Sequence, residues 1–322
     1  MKPAIIGLSG KALSVEEKLL LRRWAPLGVI LFARNIENPA QLAGLTSAIR
    51  DILPGALLMV DQEGGRVARL RPPFWRAFPP ARSLPDPRAA WLTGALIGLM
   101  CRAANFDLVA APVLDVADPQ GHDVIGDRAF SHDPARVAEM GRAMAAGLLA
   151  AGVQPIGKHA PGHGRARADS HLCLPVLDDV SEADLEPFVA NRRLPWLMTA
   201  HIRYNARDMQ CPATHSAAII DGIIRSPSGI CFDGVLITDD LAMQALSGTP
   251  GERAELALAA GCDVALHCSG LLADSQDVLS AIPEPTASCL ARLTRARQMA
   301  ESCHDDALNF ERLAAEHAVL LA

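Results

Sequence analysis

LLMVDQEGG, Leu57 to Gly65, is the stretch whose reading decides the fold. Four apolar residues run together without alternation, and then an aspartate, a glutamate and two glycines follow at once. A strand with one wet face alternates apolar and polar residues. An amphipathic helix spaces its apolar residues by three and four. A short unbroken run closed by turn formers is instead a strand buried on both faces, as in a parallel sheet. The charge arrives only at the carboxyl end.

The same design recurs along the chain. PAIIGL (3–8), GVILFARN (28–35), DLVAAPVLD (107–115), VQPIGKH (153–159), WLMTAH (196–201), GVLITDD (234–240) and CDVALHC (262–268) bring the number of such runs to eight. Between them lie stretches with helical spacing: 39–53, opened by Asn38 and Pro39; 86–105; 133–152, opened by Asp133-Pro134 and closed by Gly152; 181–193; and 251–261. Asn or Asp before Pro is an N-terminal cap signal, and Gly past the last turn is a stop signal. Buried strands alternating with helices predict an α/β fold of the (β/α)8 TIM-barrel type. The alternative is an open doubly wound sheet. Against it, no G-x-G-x-x-G follows the first run. The polar groups are also spread over many strand ends: Asn35, Asp61, Asp115, Lys158, His159, His201 and Asp239. In a closed barrel these ends share one mouth. The whole chain, 1–322, is expected to form this one domain, with two closing helices at 286–302 and 306–321.

Composition agrees and excludes other classes. Half of the 322 residues are apolar while aromatics make up 4%, which suits alanine-rich helices on a compact interior better than an aromatic β-sandwich. The net charge of −6 and the lack of any basic run or RNA-binding motif argue against a nucleic-acid partner. The apolar stretch before Gly7 is too short for a signal-peptide core, and no segment reaches the roughly 18 apolar residues of a membrane span. The eight cysteines are scattered and form no C-x-x-C, as expected of reduced thiols in the cytoplasm.

Chemistry concentrates in a few places. Asp61 ends the third run, Gly64-Gly65 turns the backbone sharply, and Arg66 and Arg69 follow within reach. Such a carboxylate and guanidinium can share the hydroxyls of a sugar. Arg128, in GDRAFSHDP (126–134), is a further candidate. KHAPGHGRARADSH, Lys158 to His171, holds three histidines and three cations. Burying that much unpaired charge in a core is too costly, so the stretch is a functional loop. Asp169 and His171 stand two apart, and in an extended segment they share a side. A carboxylate beside an imidazole orients it and favours its protonated form, making His171 a general acid/base candidate. Asp239 and Asp240 end the seventh run: one is expected in the mouth, the other as a cap on the next turn. An anionic nucleophile, a carboxylate-supported proton donor and a ring of polar binders form the set that retaining glycoside hydrolysis needs, with histidine in place of the usual second carboxyl.

The motifs DQEGGRV, KHAPGHG followed by ADSH, TAHIRY and ITDDLAM, in this order and spacing, resemble those of β-N-acetylhexosaminidases of glycoside hydrolase family 3, in particular its single-domain cytoplasmic members. The likeness runs from about residue 26 to about residue 270. It implies a TIM-type barrel with neither cofactor nor metal. It implies that Asp239 is the nucleophile, His171 the acid/base and Asp169 its supporting carboxylate. The sugar binders it implies are Asp61, Arg69, Arg128, Lys158 and His159. The implied substrate is a small muropeptide, N-acetylglucosaminyl-1,6-anhydro-N-acetylmuramic acid, handled by a monomer in the cytoplasm during peptidoglycan recycling. The chain departs from the family at Ala160, where an aromatic is common, at the basic pair Arg165 and Arg167, and in a short segment between Leu177 and Met198 that trims the fifth helix. Three rivals stay open: a phosphorylase using Arg165 and Arg167 to draw phosphate, a metal-dependent hydrolase with His159, His163, His171 and Asp239 as ligands, and a muropeptide sensor without turnover.

Overall fold

A computed structural model of the chain describes residues 1–322. Eight strands form one sheet: β1 (Lys2–Gly7), β2 (Pro26–Leu31), β3 (Leu57–Val60), β4 (Leu108–Val109), β5 (Gln154–Ala160), β6 (Trp196–Thr199), β7 (Val235–Ile237) and β8 (Ala265–His267). Each pairs in parallel with the next, and β8 pairs with β1. The last seam, between β7 and β8, is closed by the parallel bridge Ile237–Val264 and by the Leu266 amide donating to Thr238 Oγ1 at 2.9 Å. The result is the expected (β/α)8 barrel.

The unbroken apolar runs now have their reason. Successive residues point to opposite faces of the sheet. Ile5, Ile30, Met59, Ile156, Trp196 and Leu266 fill the barrel interior. Their neighbours Ile6, Val29, Leu58, Val60, Leu197 and Leu236 pack outward on the helices. Each such side chain contributes about 1.5–3 kcal/mol on burial. β4 is shorter than its apolar run because Pro112, which has no N–H, interrupts the ladder. The segment beyond it still follows β5, through the Leu114 amide and the Lys158 carbonyl at 2.7 Å.

The surrounding helices are α1 (Val15–Trp24), α2 (Pro39–Ile52), α3 (Pro87–Ala103), α4 (Pro134–Ala150), α5 (Glu182–Ala190), α6 (Ala217–Ile219, continued by a π-helical turn Ile220–Arg225), α7 (Pro250–Ala259) and α8 (Leu272–Ala281). The caps read from the sequence are in place: Asn38, Asp86 and Asp133 accept backbone N–H groups, with Pro at the first turn each time. α1, α6 and α8 lie outside the stretches expected to be helical. α5 is trimmed, as the short segment requires: nine residues against seventeen in α3 and α4. The closing helices are α9 (Ala287–Cys303) and α10 (Phe310–Leu320). α9 crosses the amino-terminal end of the barrel and inserts Ala296 and Leu293 into the interior cluster. The opposite end, where the strands finish, stays open. No helix is long and apolar enough to cross a membrane.

Candidate active site

The strand ends converge on a cavity of about 150 Å3. β3 delivers Asp61 and Glu63 to it. Gly64 and Gly65 then adopt φ of +103° and +55°, and a Cβ on either would collide with Pro79 or Pro80. That turn brings Arg69 back to Asp61, Nη2 to Oδ2 at 3.1 Å. Lys158, near the end of β5, places Nζ 3.2 Å from Asp61 Oδ1 and 2.6 Å from Glu63 Oε1. Arg128 grips Glu63 in a bidentate pair at 2.8 and 2.9 Å. Five charges therefore alternate along one wall: Arg69, Asp61, Lys158, Glu63, Arg128. Burial alone would raise the Glu63 carboxyl, but Arg128 and Lys158 outweigh it and hold the group well below the usual range. Asp61 is lowered too: burial opposes, and Lys158 and Arg69 prevail. Wall groups fixed in this way present oriented donors and acceptors to a polar ligand.

Asp239 leaves β7 on the facing side of the cavity. Its Oδ1 accepts the Asp240 amide at 2.8 Å. Asp240 serves the backbone instead. Its Oδ1 accepts the Ala242 and Cys268 amides, each at 2.9 Å, and so caps the turn. This is the division expected of the two carboxylates. Burial would raise the Asp239 carboxyl, yet the imidazoles of His159 and His201, the Asp240 amide and Lys158 together hold it at about 2. It is a carboxylate at any ordinary pH.

The loop after β5 supplies the remaining groups. His159 Nδ1 meets Asp115 Oδ2 at 2.7 Å, and its ring lines the cavity. Pro161 and Gly162 turn the chain, and Tyr204 donates to the Gly162 carbonyl at 2.5 Å. His171 reaches the same cavity as Asp239, with Asp169 Oδ1 on its Nδ1 at 2.7 Å. Asp169 also accepts the His171 amide at 2.9 Å, so the pair meets through a local turn and not the extended geometry expected from their spacing. The His171 ring is 62% exposed, and the Gln244 amide donates to its carbonyl at 3.3 Å, tying the loop to the segment after Asp239.

Asp61, Arg69, Arg128, Lys158, His159, His171 and Asp239 thus line one cavity, and Asp169 stands behind His171. Other candidates fall elsewhere. Arg66 turns away to Asp127 at 3.1 Å. Asn35 braces the carbonyls of Leu8 and Gly10. His201 sits behind the Asp pair, between Thr214 and the Asp240 carbonyl. Arg165 is paired with Asp184 and Arg167 bonds Gln120, and neither lines the cavity. His163 turns to Ser170, and no group of three or more His, Cys, Asp or Glu side chains is arranged to hold a metal ion. Glu63 was not singled out from the sequence. Its position two residues after Asp61, on the same side of an extended chain, is the signal that points to it.

A family model for the N terminal domain of glycosyl hydrolase family 3 matches residues 10–296. The chain belongs to glycoside hydrolase family 3. A β-hexosaminidase of Pseudomonas aeruginosa is 42% identical over 304 residues, covering 91% of this chain and 90% of its own. That of Alkalilimnicola ehrlichii is 40% identical over 310 residues, covering 91% and 88%. NagZ from Neisseria gonorrhoeae, solved in complex with N-trifluoroacetyl-D-glucosamine, superposes with a TM-score of 0.86 at 31% identity, over 100% of this chain and 98% of that one. This family 3 barrel is a glycoside hydrolase.

Proposed function

We propose that the chain is a retaining β-N-acetylhexosaminidase. It removes non-reducing terminal β-linked N-acetyl-D-glucosamine from muropeptides that carry 1,6-anhydro-N-acetylmuramic acid. The observation that carries this reading is the presence of Asp239 and the Asp169-supported His171 on one cavity whose far wall is the fixed charge chain of Arg69 to Arg128. Relatives called β-hexosaminidase across nine-tenths of the chain support the same substrate class.

In this mechanism Asp61, Arg69, Arg128, Lys158 and His159 hold the hydroxyls and acetamido group of the terminal sugar. Asp239, ionised because its neighbours outweigh its burial, attacks the anomeric carbon and forms a glycosyl-enzyme. His171, oriented by Asp169, gives its proton to the departing oxygen and then takes one from the incoming water. Its exposure suits a group that must meet first an aglycone and then water. The enzyme works as a cytoplasmic monomer in peptidoglycan recycling. In this reading water, not phosphate, is the acceptor: Arg165 is already paired with Asp184, and neither Arg165 nor Arg167 lines the cavity.

Loss of a general acid costs about 10²–10⁴ in rate. His171→Ala should therefore collapse hydrolysis of the natural disaccharide while sparing the first step on a nitrophenyl glycoside, whose leaving group needs no proton. Equal losses on the two substrates would remove His171 from this role. Product analysis with N-acetylglucosaminyl-anhydromuramic acid, with and without phosphate, should give free N-acetylglucosamine in both cases. A sugar 1-phosphate would make the enzyme a phosphorylase.

A further inference from the structure

The strongest buried carboxylate outside the roles above is Asp115, just beyond β4. It is fully buried, and no lysine or arginine pairs with it. Its bonds go to one short piece of chain. Oδ2 takes His159 Nδ1 at 2.7 Å, and Oδ1 takes the amides of His159 at 3.2 Å and His163 at 2.7 Å. A buried carboxylate without partners is expensive, and here one side chain and two backbone amides answer it. Those partners are the ring that lines the sugar cavity and the root of the loop that carries His171.

We propose that Asp115 is a positioning residue for the glycosidase reaction: it fixes the His159 ring with Nε2 toward the sugar and anchors the root of the acid/base loop. Three observations point this way. The bond to Nδ1 sets which ring nitrogen is left for the cavity. The Nδ1 contact is short for a nitrogen donor, as for a charge-assisted bond. Finally, His159 is the first of the groups that oppose the burial penalty on Asp239, so a ring that turns away also withdraws support from that carboxylate. Asp115 is faced by His159 and His163 from β5 and its loop; its charge also reaches Arg128 and the buried, neutral phenol of Tyr204. Asp239 is faced by His159 and Lys158 from β5, by His201 from the segment after β6, and by its neighbour Asp240.

The inference rests on the proposed function, and its test separates the two. Asp115→Asn keeps an acceptor for the amides but offers the ring an N–H₂ in place of a carboxylate. Misplacement of a binding group by about 1 Å can cost about 10²-fold. We expect kcat/KM to fall roughly tenfold to a hundredfold on both natural and nitrophenyl substrates. The acidic limb of the profile should move to higher pH as Asp239 loses support. In a double-mutant cycle, adding Asp115→Asn to His159→Gln should cost little more than His159→Gln alone, because one residue acts through the other. Losses that add in full, or a variant within about threefold of the parent with an unmoved acidic limb, would overturn the proposal. Should Asp115→Asn fail to fold, the native enzyme still decides. Proton–nitrogen correlation spectra should show a strongly deshielded His159 Nδ1–H, assigned by its loss in His159→Gln, and its absence would overturn the proposal. That spectrum needs no turnover, so it stands even if Asp239 proves not to be the nucleophile.

Discussion

Glu63 is the residue with most at stake in the charge wall. It is nearly inaccessible and is the shared counter-charge of Lys158 and Arg128. Removing one member of a buried ionic cluster leaves the others uncompensated, at a cost of about 3–5 kcal/mol. Glu63→Gln should lower stability by about 3 kcal/mol in a urea melt, and should also raise KM, since both cations lose their fixed positions. A variant as stable as the parent would show that the wall is solvated and not pre-organised. The residues that line the cavity were legible in the sequence wherever a charged group ended an apolar run: Asp61, Lys158, His159 and Asp239 all follow that pattern. Partnerships were not legible. Nothing local tells that Arg128 lies on Glu63, 65 positions away, or that Arg66 faces Asp127 and not Asp61. Such pairings are set by which strand ends become neighbours, and only closure of the barrel decides that.

At the scale of elements, the apolar runs identified the strands because both faces of a barrel strand are buried, so Leu57 to Val60 could not have been written otherwise. Helix capping was equally readable at Asn38, Asp86 and Asp133. α1 carried a readable signal as well, the Ser14 and Glu17 capping box, but its apolar face is narrow among five charged residues. α6 offers only its Ser216 cap, without a capping box, and its π-helical turn has no sequence period of its own. The tight contact of α3 with α4 is also invisible to periodicity. α3 and α4 touch through Gly94 and Gly147, where an added Cβ would strike the carbonyl oxygens of Met144 and Trp91 respectively. Gly147→Ala should therefore destabilise by about 1–3 kcal/mol through overpacking, despite alanine's better helix propensity. Thermal melts check this. A stabilised variant would mean that the two helices separate at no cost.

At the scale of the molecule, the barrel has one closed end and one open end. α9 seals the first with Leu293 and Ala296, and the cavity with its charged lining opens at the second. Burying neutral imidazoles makes the fold sensitive to acid. Burial pushes His163 down to about 4 from its ordinary 6.5. Between those values the unfolded chain binds a proton that the folded chain refuses, so stability falls as pH drops. A shift of this size is worth about 3 kcal/mol. His215, likewise pushed down to about 4 by burial, adds in the same direction. Urea midpoints should therefore fall between pH 7 and pH 4, and the slope should flatten in His163→Gln. A midpoint that stays level would mean that these rings are hydrated in solution.

The measurement that bears most directly on the account is covalent trapping followed by peptide mass spectrometry. An N-acetylglucosaminyl fluoride bearing fluorine at ring position five forms a glycosyl-enzyme quickly but releases it slowly. One 5-fluoro-N-acetylhexosaminyl adduct, formed with loss of the anomeric fluoride, on the peptide that contains Asp239 and absent in Asp239→Asn, is the predicted result. An adduct on the peptide of Asp61 and Glu63, or full turnover with no adduct and inverted anomeric configuration in the product, would contradict it.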